Sequence, residues 1–155
     1  MTTREKIERV IEQFPNLTAY GFTDYILRQN GRVLSPEEGE ELIQRARESL
    51  LNSEQEFEKV CEWLKQIEKS DTIIKKANSE SLARYAEKEI GCLNEMGCNS
   101  SGVFIAAAMH SGFKWERARG TGLQACFGMT LESIQATRGY RLYYADAIHL
   151  PYPIK

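Results

Sequence analysis

The amino-acid sequence predicts an α+β, mostly helical fold in which a helical N-terminal region packs on a C-terminal unit of helix, helix and β-hairpin. Three observations carry this expectation. Apolar residues recur at three- and four-residue spacing through most of residues 1–70. Val103 to His110 is a nearly unbroken apolar run. Beyond it, two stretches alternate apolar and polar residues on either side of Arg119, Gly120, Thr121 and Gly122. At 155 residues the chain suits one compact unit with two sub-regions. Residues 1–70 form a helical region with an αα-hairpin; residues 71–155 form the helix-helix-hairpin unit, followed by a short helix, a third strand and an extended tail.

Ile7, Val10, Ile11 and Phe14 place one apolar face on a first helix, which Pro15 ends. A short helical piece holding Phe22, Tyr25 and Ile26 is expected next, closed by Asn30 and Gly31, residues that tolerate the left-handed conformation of a helix end. Ser35, Pro36 and Glu38 make a capping box with proline at the first helical position, and Leu42, Ile43, Ala46 and Leu50 are the buried face behind it. Ser53 and Glu56 repeat that signature before a stripe of Phe57, Val60, Cys61, Leu64 and Ile67. Their short link predicts antiparallel neighbours. Trp63 lies off the stripe, about 240° from Phe57 at 100° per residue; it packs on the second half of the chain or faces a partner.

A helix starting at Asn78 or Ser79 carries Leu82, Tyr85, Ala86 and Ile90 and stops at Gly91. A polar stretch from Leu93 to Asn99 leads through Ser100 into the apolar helix, which Gly112 stops. In the hairpin, Phe113, Trp115 and Arg117 face one way and Lys114 and Glu116 the other, answered by Leu123, Ala125, Phe127 and Met129. The glycines between them supply the positive φ of a tight connection. Thr130 caps a short helix to about Thr137, Tyr140, Leu142 and Tyr144 alternate as a third strand, and Pro151 and Pro153 keep the tail extended.

Composition excludes several classes. Hydrophobic content of 42% and charged content of 27% are those of a folded domain. Met1 to Arg9 contains no apolar core of a secretory signal, and no apolar run approaches the roughly 18 residues of a membrane span. A cytoplasmic protein is expected, with Cys61, Cys92, Cys98 and Cys126 reduced. Charge is uneven: residues 1–100 carry 14 basic against 19 acidic side chains and residues 101–155 carry six against three, so −5 faces +3. Such asymmetry marks a nucleic-acid or partner face, or two halves that attract each other.

Two helices followed by a basic hairpin is the order of a winged helix-turn-helix. A recognition helix must offer hydrogen-bonding side chains to base edges, and Val103, Phe104, Ile105, Ala106, Ala107 and Ala108 offer none. That helix belongs in a core. The hairpin suits nucleic acid better, since Lys114, Arg117 and Arg119 stand near Trp115, although such cations also discourage strand pairing at an edge. Cys92, Cys98, His110 and Cys126 lack the close pairing of a structural zinc site. Cys98 precedes a helix N-terminus, which lowers a thiol pKa, yet no partner is spaced to use it. His110 near a helix C-terminus is favoured there as a cation, and His149 has only Asp146 close in sequence. Glu37, Glu38, Glu40 and Glu41 complement a helix dipole, and Gly120-Thr121-Gly122 lacks the spacing and lysine of a phosphate loop. No catalytic set, cofactor or metal is therefore expected.

From residue 81 to 113, Leu82, Tyr85, Glu87, Gly91, Asn99, Gly102, Phe104, Ile105, Ala107, Ala108, Gly112 and Phe113 form a pattern that resembles a family of short uncharacterised proteins of bacteria, phages and other mobile elements. That family has a Lys-His pair where this chain has Ala83 and Arg84. The resemblance implies a regulator or inhibitor that binds host nucleic acid or nucleoprotein machinery, defence complexes included. The expectation is a non-enzymatic macromolecular binding protein acting on a host protein or nucleoprotein complex. Lys114, Trp115, Arg117, Arg119, Asn99 and Trp63 are its contact residues, and a Trp63 face could equally serve a homodimer. The alternatives are a DNA-binding regulator of winged helix-turn-helix type and a small enzyme with an unrecognised site.

Overall fold

A computed structural model describes residues 1–19, 21–22, 28–29, 32–75, 77–90, 101–118 and 124–137, with residues 28–29, 32–33 and 88–90 described as backbone only. Within them the chain is α+β and mostly helical. The elements run α1 (Thr3–Gln13), β1 (Leu17–Thr18), β2 (Gly21–Phe22), β3 (Arg28–Gln29), β4 (Arg32–Val33), α2 (Pro36–Leu51), α3 (Glu54–Leu64), α4 (Ser79–Ile90), α5 (Ser101–His110), β5 (Trp115–Arg117), β6 (Ala125–Phe127) and α6 (Leu131–Ala136).

α1 begins at a complete capping box in which Thr2 accepts from the Glu5 N–H and Glu5 accepts from the Thr2 N–H. It buries Ile7 and Val10, as the spacing predicts. The helical piece expected around Phe22 is a correction. Phe22 pairs with Leu17 and Gly21 with Thr18 in an antiparallel corner, where Gly21 takes a φ of 113°. Arg28 then pairs with Val33 and Gln29 with Arg32. Asn-Gly between two extended pairs is a hairpin signal as much as a helix stop, and here the extended backbone prevails. Tyr25, Ile26, Asn30 and Gly31 themselves lie outside the described residues.

The Ser35 box forms as expected, with Pro36 in the first turn. The Ser53 box does not: Ser53 makes no side-chain cap, and its hydroxyl donates back to the Ser49 carbonyl at 2.7 Å. With the two helices joined only through Asn52 and Ser53, Ser53 takes φ −95° and ψ 40°, away from the extended backbone that points a cap at the next turn. Of the two alternatives for Trp63, packing on the second half of the chain is the one found, and its place among the contact residues is corrected. It is 3% exposed, with its ring 6.3 Å from that of Tyr85 and 6.1 Å from that of Phe104. α3 is covered by α1, α4 and α5, so its apolar face is wider than one stripe.

α5 is the centre of the core. Every residue from Ser101 to Ala108 is buried, and the helix packs against α1, α3, α4 and the β1–β2 corner. Gly102 permits the last of these contacts. A Cβ there would stand 1.8 Å from the Thr18 carbonyl oxygen, while the Gly102 N–H donates to Ala19 and the Ala19 N–H to Ala46. The corner is thereby bonded to both α5 and α2. At its other end α5 closes with two bonds, Gly112 N–H to Met109 and Phe113 N–H to Ala108, around Gly112 at φ 85°. This is a Schellman motif, and it turns Phe113 inward to 4% exposure.

The predicted hairpin is present: Trp115 pairs with Phe127, Glu116 with Cys126 and Arg117 with Ala125. β6 is covered on both faces, because Ala125, Cys126 and Phe127 are all buried. Beyond it runs the segment after α3, with Ser70 N–H donating to Gly128 and Ile74 N–H to Phe127. Thr130 caps α6 by accepting from the Ser133 N–H. The connection Arg119 to Gly122, Leu123, the stretch from Gly91 to Ser100, the third strand expected at Tyr140, Leu142 and Tyr144, His149 and the tail from Leu150 lie outside the described residues. No helix among the described residues is long and apolar enough to cross a membrane.

Candidate functional site

The expected contact residues separate in the structure. Trp115 is half-buried, edge-on to Phe14 with ring centroids 5.2 Å apart and stacked on Phe22 at 5.5 Å. The Arg117 guanidinium lies 4.1 Å from the Phe22 ring centroid. Both side chains are thus engaged with the end of α1 and with β2, and neither is the unpartnered hairpin group that stacking on a base requires. Trp63 is in the core. Lys114 is exposed on the opposite face of the hairpin, where Glu116 pairs with Lys75 at 3.7 Å. Arg119 and Asn99 lie outside the described residues. Of the six, Lys114 alone is described as freely accessible.

A concave site lies elsewhere, between α3 and the end of α5. It is a groove of about 750 Å³, inside the range of roughly 300–1,000 Å³ typical of binding pockets. Its floor is apolar, made by Phe57 and Leu64 of α3, Ile67 just beyond that helix, and Phe113. Each of these side chains is at least nine-tenths buried. The Schellman turn after α5 positions Phe113 here, together with Ser111 and His110 at the rim. Glu58, Cys61, Glu62 and Lys65 recur every three or four residues on α3 and form its wall, while Lys6 of α1 and Lys69 close the remaining sides.

Electrostatics sorts these groups. Lys65 pairs with Glu62 at 2.9 Å, and Glu58 accepts from the Thr3 hydroxyl. Among the described residues neither Lys6 nor Lys69 has a carboxylate partner. The Lys69 ammonium rests 5.4 Å from the Phe113 ring centroid. Three ammonium groups thus face two carboxylates, and the two ammonium groups without a carboxylate partner come from different elements.

Cys61 and His110 are the two side chains in the groove with reactive potential. Burial pushes the Cys61 thiol up from its ordinary value, against a hydrogen bond with Ser111 and the nearby Lys6 charge, which pull it down. Burial and the Lys6 ammonium push the His110 imidazole down, and its ring sits 5.7 Å from that of Phe57. This shift runs opposite to the cationic form expected from a place at a helix C-terminus. Thiol and imidazole are both neutral at neutral pH. A raised thiol pKa disfavours the thiolate, the nucleophilic form.

No family model, curated protein or solved structure matches the chain. Among the described residues no group of three or more metal-ligating side chains converges, and Cys92 and Cys98 lie outside them. Sequence reasoning missed the groove because it read Phe57, Cys61 and Leu64 as one buried stripe. A signal was present in the neighbouring stripe Glu58, Cys61, Glu62 and Lys65, a mixed-charge face directly beside an apolar one.

Proposed function

We propose that this chain is a non-enzymatic binding protein that engages a partner protein through the groove between α3 and the end of α5. The observation that carries the proposal is the groove's make-up: an apolar floor of Phe57, Leu64, Ile67 and Phe113 within a rim of charged side chains. The floor side chains are already packed into the core, so a partner covers their outermost atoms and meets mainly the charged rim, which orients it. The neutral state of Cys61 and His110 supports the same reading, since it lets both pack against an incoming surface without the cost of burying a charge. The resemblance to short proteins of bacteria, phages and mobile elements implies the class of target, a host protein or nucleoprotein complex such as a defence system.

The hairpin is subordinate in this proposal. Trp115 and Arg117 are engaged with Phe14 and Phe22, which favours a structural role for them over nucleic-acid contact. Recovery of the tagged chain from bacterial lysate, with and without nuclease, tests the function. The expected result is a protein partner that survives nuclease, is lost from a Ser111→Trp variant, which fills the groove from its half-buried rim with unchanged far-ultraviolet circular dichroism, and is retained by Lys114→Glu. Recovery that nuclease abolishes, or that Lys114→Glu alone abolishes, would return the contact to nucleic acid and the hairpin.

A further inference from the structure

We infer that the occupant of the groove is an acidic amphipathic segment of a partner protein, one that sets apolar side chains on the floor and carboxylates against Lys6 and Lys69. The inference rests on the binding function proposed above and specifies its chemistry. Charge complementarity decides the sign. Glu58 and Glu62 are the acidic groups in the lining, and both have partners within the protein, the Thr3 hydroxyl and Lys65. Lys65 neutralises Glu62, which leaves Glu58 against Lys6 and Lys69, so the lining carries one cation in excess.

Lys6 and Lys69 have no carboxylate partner among the described residues, and their places are informative. Lys6 lines the groove from α1, on the side of Cys61 and His110. Lys69 sits over Phe113, at the edge of the floor. A carboxylate bound there would meet an exposed cation held beside the Phe113 ring. The volume, about 750 Å³, suits a few large side chains and not a folded domain, so a short segment is the fitting unit.

Selection from a random peptide library displayed on messenger RNA, against the full chain, tests the inference. Enrichment of peptides that combine aromatic or large aliphatic residues with Asp or Glu is expected. A synthetic peptide from that pool should bind roughly tenfold more weakly to Lys6→Glu and to Lys69→Glu, the order expected when a close opposite-charge contact across an interface becomes a like-charge one. Lys114→Glu, the same charge change outside the groove, should leave its affinity unaltered. The bound peptide should also protect Cys61 from alkylation, read by mass-spectrometric mapping. Lys6→Gln and Lys69→Gln provide milder variants should charge reversal perturb folding.

Enrichment of basic or uncharged peptides, equal losses in Lys114→Glu, or unprotected Cys61 would each overturn the inference, as would selection that yields no binder. Its failure is separable from that of the binding function. A lysate partner lost on Ser111→Trp but contacting the groove through a basic segment would keep the function and remove the acidic occupant.

Discussion

A methyl group on Gly102 would stand 1.8 Å from the Thr18 carbonyl oxygen and 2.5 Å from the Ala19 carbonyl carbon. The obstacles are backbone, and that backbone is bonded to α5 through Ala19 and to α2 through Ala46. Gly102→Ala is therefore expected to cost about 3 kcal/mol or more, the upper range of overpacking. Gly112→Ala should cost less, about 1–2 kcal/mol, because the penalty there is the left-handed φ of 85° and the nearest group is the flexible end of Lys69. Urea denaturation of the two variants checks the order, and an equal or reversed ranking would deny that the β1–β2 corner is wedged against α5. His110 makes a second prediction at this scale. Its folded pKa lies below the ordinary value of 6.5, so the unfolded chain takes up this proton first. Stability from this group is full above that value, falls as pH drops through the shifted pKa, and changes no further below it. The difference in denaturation midpoint between wild type and His110→Gln should thus shift against the wild type between about pH 7 and pH 5. Lys6→Ala should move the His110 pKa part of the way back, seen by NMR titration of its ring protons; no movement would remove Lys6 from the groove's electrostatics.

At the scale of elements, the helix starts show where sequence signals hold and where they do not. Ser35 and Ser53 open the same four-residue signature, and Ser35 alone builds the box. Asn78, one of two candidates in the sequence for the start of α4, accepts from the N–H groups of Glu80 and Ser81. Ser79, the other candidate, instead bonds Gln124 and the Ala125 N–H. Ser35→Ala and Asn78→Ala should each cost about 1 kcal/mol, with Asn78→Asp close to neutral, since aspartate accepts the same two bonds. Thermal melts at one pH suffice to check this, and an Asn78→Asp as damaging as Asn78→Ala would contradict the cap. All six helices and the hairpin were legible, α3 by its stripe though not its cap, because period, caps and glycine stops are local and mostly agree with one another. The short pairs around Phe22 were not, because their extended backbone is held by partners on α2 and α5 that no local pattern reveals. The groove was illegible for a related reason. Its apolar floor joins α3, the residue after it and the Schellman turn, and its cations come from α1 and from Lys69, so the sequence spreads over a hundred positions what the fold brings to one place.

Across the whole molecule, α5 decides whether the N-terminal helices and the hairpin unit melt separately or together. Ile7 and Val10 of α1, Phe57, Val60 and Trp63 of α3, Tyr85 of α4, Phe104 of α5 and Phe127 of β6 belong to one contiguous core. Phe104 sits at the crossing, with ring centroids 6.1 Å from Trp63 and 5.7 Å from Phe127. Trp115 ties the hairpin to Phe14 and Phe22 by a second, more peripheral route. A polar surface between the two regions would let each unfold alone; an aromatic core shared by both forces exposure of the same rings in one event. Unfolding is therefore expected to be a single transition, with the fluorescence of Trp63 alone (in Trp115→Phe), that of Trp115 alone (in Trp63→Phe) and far-ultraviolet circular dichroism coincident within each variant. Phe104→Ala in either background should lower the shared stability by about 3–5 kcal/mol, as for aromatic truncation in a core. The two tryptophans make the test discriminating, because Trp63 reports the centre of the shared core and Trp115 its edge. A Phe104→Ala variant in which the Trp63 signal melts early while the Trp115 signal keeps its midpoint would mean that the hairpin holds to α1 and β2 without the pillar, and that the two regions are folding units in their own right.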